Sequence, residues 1–165
     1  MKFWFKNAIS SVTLAFFAVF SNSAFAADEL ALTRAADLQT DAKEARAKKL
    51  PLVLFSNLTG CHYCRGALRE VLLPMQRDAG WARTAIYRQI DVDKKTPLKD
   101  FDGKATTHEA FALKMKLQFT PTVAVVDGAG KPLAEPIVGV ATWDYYGYNI
   151  EEAIRKGYGA TQAAP

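Results

Sequence analysis

Cys61-His62-Tyr63-Cys64 contains the chain's only two cysteines and lies between the apolar run Leu52-Val53-Leu54-Phe55 and a helix-like stretch beginning at Arg65-Gly66-Ala67-Leu68. No other feature restricts the fold as much. A buried strand must hand the motif to the start of a helix so that the two thiols can close on each other, an arrangement that serves redox chemistry more often than structural stapling. A purely structural bridge is the plainest alternative, but a cross-link over so short a loop restricts the unfolded chain little.

The meaning of a cysteine pair depends on its compartment, and the N-terminal residues speak to that. Lys2 and Lys6 form a short basic region, Ala8 to Phe20 is almost wholly apolar, and Ala24-Phe25-Ala26 supplies the small residues that signal peptidase requires. A membrane anchor is the alternative. A spanning helix needs about 20 apolar residues, whereas this run is interrupted by Ser10, Ser11 and Thr13 and ends at Ser21-Asn22-Ser23. We therefore expect residues 1–26 to be a cleaved signal peptide, residues 27–158 a single domain and residues 159–165 a flexible tail. The expected destination is a periplasm, where dithiols become disulfides unless something reduces them.

The formal net charge is +4, but two of those lysines sit in the expected signal peptide, and the remaining basic residues are scattered. Arg46-Ala47-Lys48-Lys49 and Lys94-Lys95 read as solvated surface, so no nucleic-acid partner is expected.

Along the rest of the chain, helix and strand signals alternate. Thr33 is a candidate cap for a helix with Ala36, Leu38, Ala42 and Ala45 on one side. A strand over Leu52 to Phe55 leads through Ser56-Asn57-Leu58-Thr59-Gly60 into the cysteine motif. The helix that follows places Cys64, Ala67, Leu68, Val71 and Leu72 on one face until Pro74 ends or kinks it. Cys64 is thereby directed inward, with Cys61 at the exposed start. A second strand is expected over Ala85 to Val92, then a polar loop from Lys94 to Thr106. A helix from Thr107 or His108 should stop near Phe119. Val123-Ala124-Val125-Val126 reads as a central strand, Asp127-Gly128-Ala129-Gly130 as a turn, and Pro132 to Gly139 as an edge strand. Asn149 to Lys156 is the last expected helix. The order gives an α/β domain with a central mixed β-sheet flanked by helices.

This order, the cysteine motif at a strand-to-helix junction, and Thr120-Pro121 about 60 residues after Cys61 together resemble the thioredoxin superfamily. Within it the chain is similar to periplasmic thioredoxin-like proteins of the sulfur-oxidation-associated type, related to the catalytic domains of bacterial disulfide isomerases and reductases. The closer match rests on Gly60-Cys61-His62-Tyr63-Cys64, Arg69-Glu70-Val71-Leu72, Asp100-Phe101-Asp102-Gly103-Lys104, Phe119-Thr120-Pro121-Thr122 and Asp127-Gly128-Ala129-Gly130-Lys131. It covers nearly all of residues 33 to 156. The resemblance implies a thioredoxin fold, a cis bond before Pro121, and a place for Thr120 and Pro121 beside the disulfide where a peptide substrate can bind.

Thiol exchange then assigns roles. Cys61 is the attacking residue, its thiolate favoured at a helix start, and Cys64 resolves the mixed disulfide. His62, when protonated, would favour the Cys61 anion and make the pair more oxidising, while Tyr63 limits access as a rim aromatic. The strand Leu52-Val53-Leu54-Phe55 lacks the buried acid that cytosolic thioredoxins carry there, so proton transfer from Cys64 must use another base or water. Isomerases carry an N-terminal dimerisation domain that this chain has no room for, and a monomer is expected.

The expected activity is reduction of protein disulfides, with protein disulfide or thiol substrates as partners and a membrane thiol transporter as electron donor. A periplasmic oxidant and a copper(I)-binding thiol protein are the alternatives. With two cysteines and two histidines in the whole chain, a closed zinc site is not expected, and neither metal nor other cofactor enters the scheme. Haem attachment is excluded because Arg65, not histidine, follows Cys64. Trp143, Tyr145, Tyr146 and Tyr148 are read as aromatic packing before the last helix and stay outside the expected site.

Overall fold

The computed structural model describes Met1 and residues 30–164, so the expected signal peptide and its cleavage point lie outside the described residues. The first helix, α1 (Leu38–Lys48), is capped by Asp37, whose carboxylate accepts from Thr40 N at 2.9 Å, and it ends at left-handed Lys49. Thr33 does not cap it. Its carbonyl accepts from Gln89 N at 2.9 Å, which draws residues 33–35 out as an extended segment along the second strand.

A four-stranded sheet follows, in the order β2 (Ile86–Asp91), β1 (Leu52–Asn57), β5 (Thr122–Val126), β6 (Ile137–Val138). β1 runs parallel to β2 and antiparallel to β5, and β5 runs antiparallel to β6. The sheet is mixed, as expected from the order of elements. Side chains of a strand alternate between faces, and β1 serves both. Val53 and Phe55 pack with Cys64, Leu68, Leu72 and Tyr146, while Leu52 and Leu54 pack with Leu38, Phe111 and Leu117 on the other side. That double burial explains why Leu52 to Phe55 reads as an unbroken apolar run.

Pro74 neither ends nor breaks the motif helix. α2 (His62–Ala67) passes through a π-helical segment (Leu68–Leu72) into α3 (Leu73–Arg77). In a regular helix the ring of Pro74 would meet the carbonyl four residues back. Widening the turn so that Leu73 N–H donates to Leu68 O relieves that conflict.

Residues 94–106 are not simply a loop. They carry most of a small hairpin, β3 (Pro97–Lys99) with β4 (Ala105–Thr107), whose turn is organised by buried Asp100. One Asp100 oxygen accepts from Asp102 N and Lys104 N at 3.0 Å each, and the other meets Lys114 Nζ at 2.9 Å. α4 (His108–Lys114) is capped by Thr107 and stops five residues before Phe119.

The last helix is longer than its sequence signal. α5 runs from Trp143 to Ala163, so the aromatic residues from 143 onward lie within it and residues 159–163 are helical instead of forming a tail. Buried Tyr146, Ile150, Ile154 and Gly157 follow helical spacing. Its end is tied back by Thr161 Oγ1 and Gln162 Nε2, each donating to Lys49 O at 2.8 Å.

Candidate functional site

β1 ends at Asn57, and the chain turns through Leu58, Thr59 and Gly60 before entering α2. Gly60 takes φ +78°, a conformation that costs glycine nothing, and Cys61 N–H closes the turn on Leu58 O at 3.1 Å. Cys61 is therefore the N-cap of α2. It is joined to Cys64 by a disulfide with Cα atoms 5.2 Å apart. Cys64 N–H donates to Cys61 Sγ at 3.0 Å, the place that serine or aspartate oxygen takes in an ordinary cap. Cys64 is 0 % exposed, while Cys61 is half-buried. One sulfur is thus reachable from solvent and already holds a backbone donor, and the other lies within the core.

His62 and Tyr63 are both exposed. The Tyr63 ring stacks on Trp143 with centroids 6.4 Å apart, His62 meets Tyr63 edge-on, and Trp143 meets Tyr146 edge-on at 5.7 Å. This series of rings runs from the motif surface to Tyr146, which is 2 % exposed. Tyr146 Oη has no hydrogen-bond partner among the described residues, and burial pushes its hydroxyl pKa upward. Tyr146 is thus a core residue, as the sequence reading of aromatic packing has it, and the stacking of Trp143 on Tyr63 is the contact that reading does not show. The available signal was Gly66, three residues after Tyr63 and small enough to admit an indole.

The Thr120–Pro121 peptide is cis, and Pro121 is buried with its carbonyl accepting from Gly139 N at 2.7 Å. Ser56, fully buried near the end of β1, pins this loop. Its Oγ accepts from Thr122 N at 2.8 Å and donates to Phe119 O at 3.1 Å. Since Ser56 pairs with Thr122, the loop bearing Thr120 and Pro121 sits at the same end of the sheet from which the cysteine motif departs.

A buried carboxylate exists at that end too, supplied by the neighbouring strand. Asp91 pairs in register with Asn57, and its oxygens accept from Asn57 Nδ2 at 3.0 Å, Gln89 Nε2 at 2.6 Å and Arg34 Nε at 2.8 Å. Burial works to raise its pKa, but these donors outweigh it and hold the carboxyl below the usual range. His108 supports the strand from the other side. Its Nδ1 accepts from Asp91 N at 3.0 Å, leaving Nε2–H to donate to Ala35 O at 2.8 Å. Asp91 and Cys61 line one cavity of about 240 Å³. No group of three or more histidine, cysteine and carboxylate side chains placed to hold a metal occurs among the described residues.

A family profile described as a thioredoxin-like domain matches residues 38–146. Among solved structures, a thioredoxin-fold protein from Helicobacter pylori superposes with TM-score 0.51 at 17% identity, covering 71% of this chain and 74% of its own. Thioredoxin O2 from Arabidopsis thaliana in the oxidised state gives 0.48 at 17% identity, covering 76% and 96%. Reduced periplasmic thioredoxin SoxS from Paracoccus pantotrophus gives 0.44 at 16% identity, covering 64% and 97%. No curated protein matches the chain.

Proposed function

Since the chain belongs to the thioredoxin-like family and carries a Cys61–Cys64 disulfide at its strand-to-helix junction, which makes it a thiol–disulfide oxidoreductase, we propose that it works as a reductase of protein disulfides in a periplasm. The observation that carries the exchange scheme, with Cys61 attacking and Cys64 resolving, is the asymmetry of the two sulfurs. Cys61 is half-buried with the Cys64 N–H already aimed at its Sγ, whereas Cys64 is enclosed by Phe55, Leu68, Leu72 and other core side chains.

In the dithiol form, Cys61 thiolate attacks one sulfur of the substrate disulfide. That S–S bond breaks, and the departing substrate sulfur takes up a proton. Cys64 then loses its proton and attacks Cys61 Sγ, which releases the second substrate thiol and re-forms the Cys61–Cys64 bond. Two electrons and two protons pass to the substrate. A reductant must restore the dithiol, and a membrane thiol transporter suits a protein exported past the cytosolic reductant pool. The N-terminal pattern of Lys2, Lys6, the apolar stretch and Ala24-Phe25-Ala26 supports export.

His62 tunes the Cys61 anion, Tyr63 bounds its access, and Thr120 with Pro121 provides backbone for a bound peptide. The closer kinship with sulfur-oxidation-associated periplasmic proteins belongs to the same proposal and rests on the motifs quoted above. Trapping tests the scheme. Cys64→Ala should accumulate a mixed disulfide with a disulfide-bonded substrate such as insulin, and Cys61→Ala should trap none; adducts formed equally through Cys64 would reverse the assignment.

A further inference from the structure

We propose that Arg65 is a substrate-selecting residue, and that the cavity beside Cys61 takes an anionic group carried close to the reacting sulfur of the substrate. The inference rests on exchange at Cys61.

The cavity that includes Cys61 has an apolar wall, Leu30, Leu58 and Leu68, and a charged one formed by Arg34, Arg65, Lys94 and Asp91. Two of the three cations are already engaged. Arg34 meets Asp91 at 2.8 Å, and Lys94 lies 3.6 Å from Asp93. Arg65 is exposed and forms no ion pair among the described residues. Asp91 does not neutralise it, because both carboxylate oxygens are held by Asn57, Gln89 and Arg34.

Among the described residues, the uncompensated charge at the cavity is therefore one guanidinium. Arg65 follows Cys61 by four residues in the helix, so the two lie one turn apart on the same face. A substrate whose sulfur reaches Cys61 brings its neighbouring groups against Arg65. A carboxylate there gains a charge-assisted, planar pairing with the guanidinium, and an ammonium is repelled.

Size narrows the occupant. At about 240 Å³ the cavity falls below the roughly 300–1,000 Å³ of pockets for larger ligands. It fits an acidic side chain flanking a substrate cysteine, or a small carboxylate-bearing disulfide.

The experiment measures oxidation of the purified dithiol protein by three small disulfides bearing carboxymethyl, hydroxyethyl or aminoethyl groups. Each rate is normalised to the rate of the same disulfide with free dithiothreitol. A second series uses peptide disulfides flanked by Glu, Gln or Lys. At low ionic strength the normalised rates should fall from anionic to neutral to cationic, with at least a fivefold spread between the ends. Arg65→Glu should invert the order, and 1 M salt should compress it. A spread in both series assigns the site to small carboxylate disulfides as well as proteins; a spread among peptides alone assigns it to an acidic protein segment. No spread in either series, or a spread that Arg65→Glu leaves in place, overturns the proposal. If no disulfide oxidises the protein, exchange at Cys61 has itself failed, which is a separate result.

Discussion

Gly66 lies directly beneath the indole of Trp143: a Cβ on residue 66 would come within 2.8 Å of Trp143 Cζ2 and closer still to Cη2. The missing methyl lets the first residue of α5 reach across α2 and stack on Tyr63 beside the disulfide. A helix-favouring substitution is therefore a structural loss here. Gly66→Ala gains up to about 1 kcal/mol of helix propensity, but overpacking costs about 1–3 kcal/mol. We expect net destabilisation of about 1 kcal/mol in urea unfolding, together with altered tryptophan emission as the indole leaves Tyr63. A stabilised variant with unchanged emission would show that this contact is unimportant.

Ser56 joins β1 to the loop before β5 through two hydrogen bonds. Ser56→Ala leaves the buried Thr122 N–H without its acceptor, at a cost of about 1–3 kcal/mol. Because that loop carries Thr120 and Pro121, KM for an insulin-like protein substrate should rise more than for a small disulfide. Equal changes in both would remove the loop from substrate binding.

Tyr146 presents the opposite case, a buried hydroxyl with no partner among the described residues. Removing the hydroxyl relieves a desolvation cost while keeping the ring against Trp143. Tyr146→Phe should leave the oxidised protein as stable or more stable, by up to about 1 kcal/mol. A loss of stability in the urea midpoint would reveal a bonded hydroxyl.

The cysteine motif, the alternation of helices and strands and the Thr120-Pro121 loop were legible because each is written in local chemistry: paired thiols, unbroken apolar runs, a proline between helix and strand. What escaped was made by contacts distant in sequence. Asp91 looked like the polar end of a strand until pairing with β1 set it beside Asn57 and Arg34. Trp143 read as packing and does pack, but its partner, Tyr63, is 80 residues away and could not be named from the sequence. The N-terminal extent of α5 was hidden by Gly147 and by dense aromatics that mask the helical period. Pro74 suggested a stop or a kink because sequence does not show that a π-turn can absorb it.

Acid stability should depend on Asp91. Its folded pKa lies below the unfolded value of about 3.9, because its hydrogen bonds outweigh burial. Its stabilisation is therefore complete above the unfolded pKa and is lost as pH falls through the folded one. Asp91→Asn should lower the urea midpoint at pH 7 and weaken its decline between pH 5 and pH 2. An undiminished decline would place the acid sensitivity elsewhere.

His62 is exposed and meets Tyr63 edge-on at 5.9 Å. If its charge favours the Cys61 anion, His62→Ala should lower the reduction potential by up to about 30 mV, equivalent to about 1.4 kcal/mol for two electrons. A clear rise would contradict that electrostatic role.

The most direct test is the equilibrium reduction potential of Cys61/Cys64, measured in defined thiol buffers with mass-tagging of free thiols. The proposed direction predicts a value near about −270 mV or lower. A value near about −120 mV would make the protein a disulfide donor and contradict the proposed direction of electron flow.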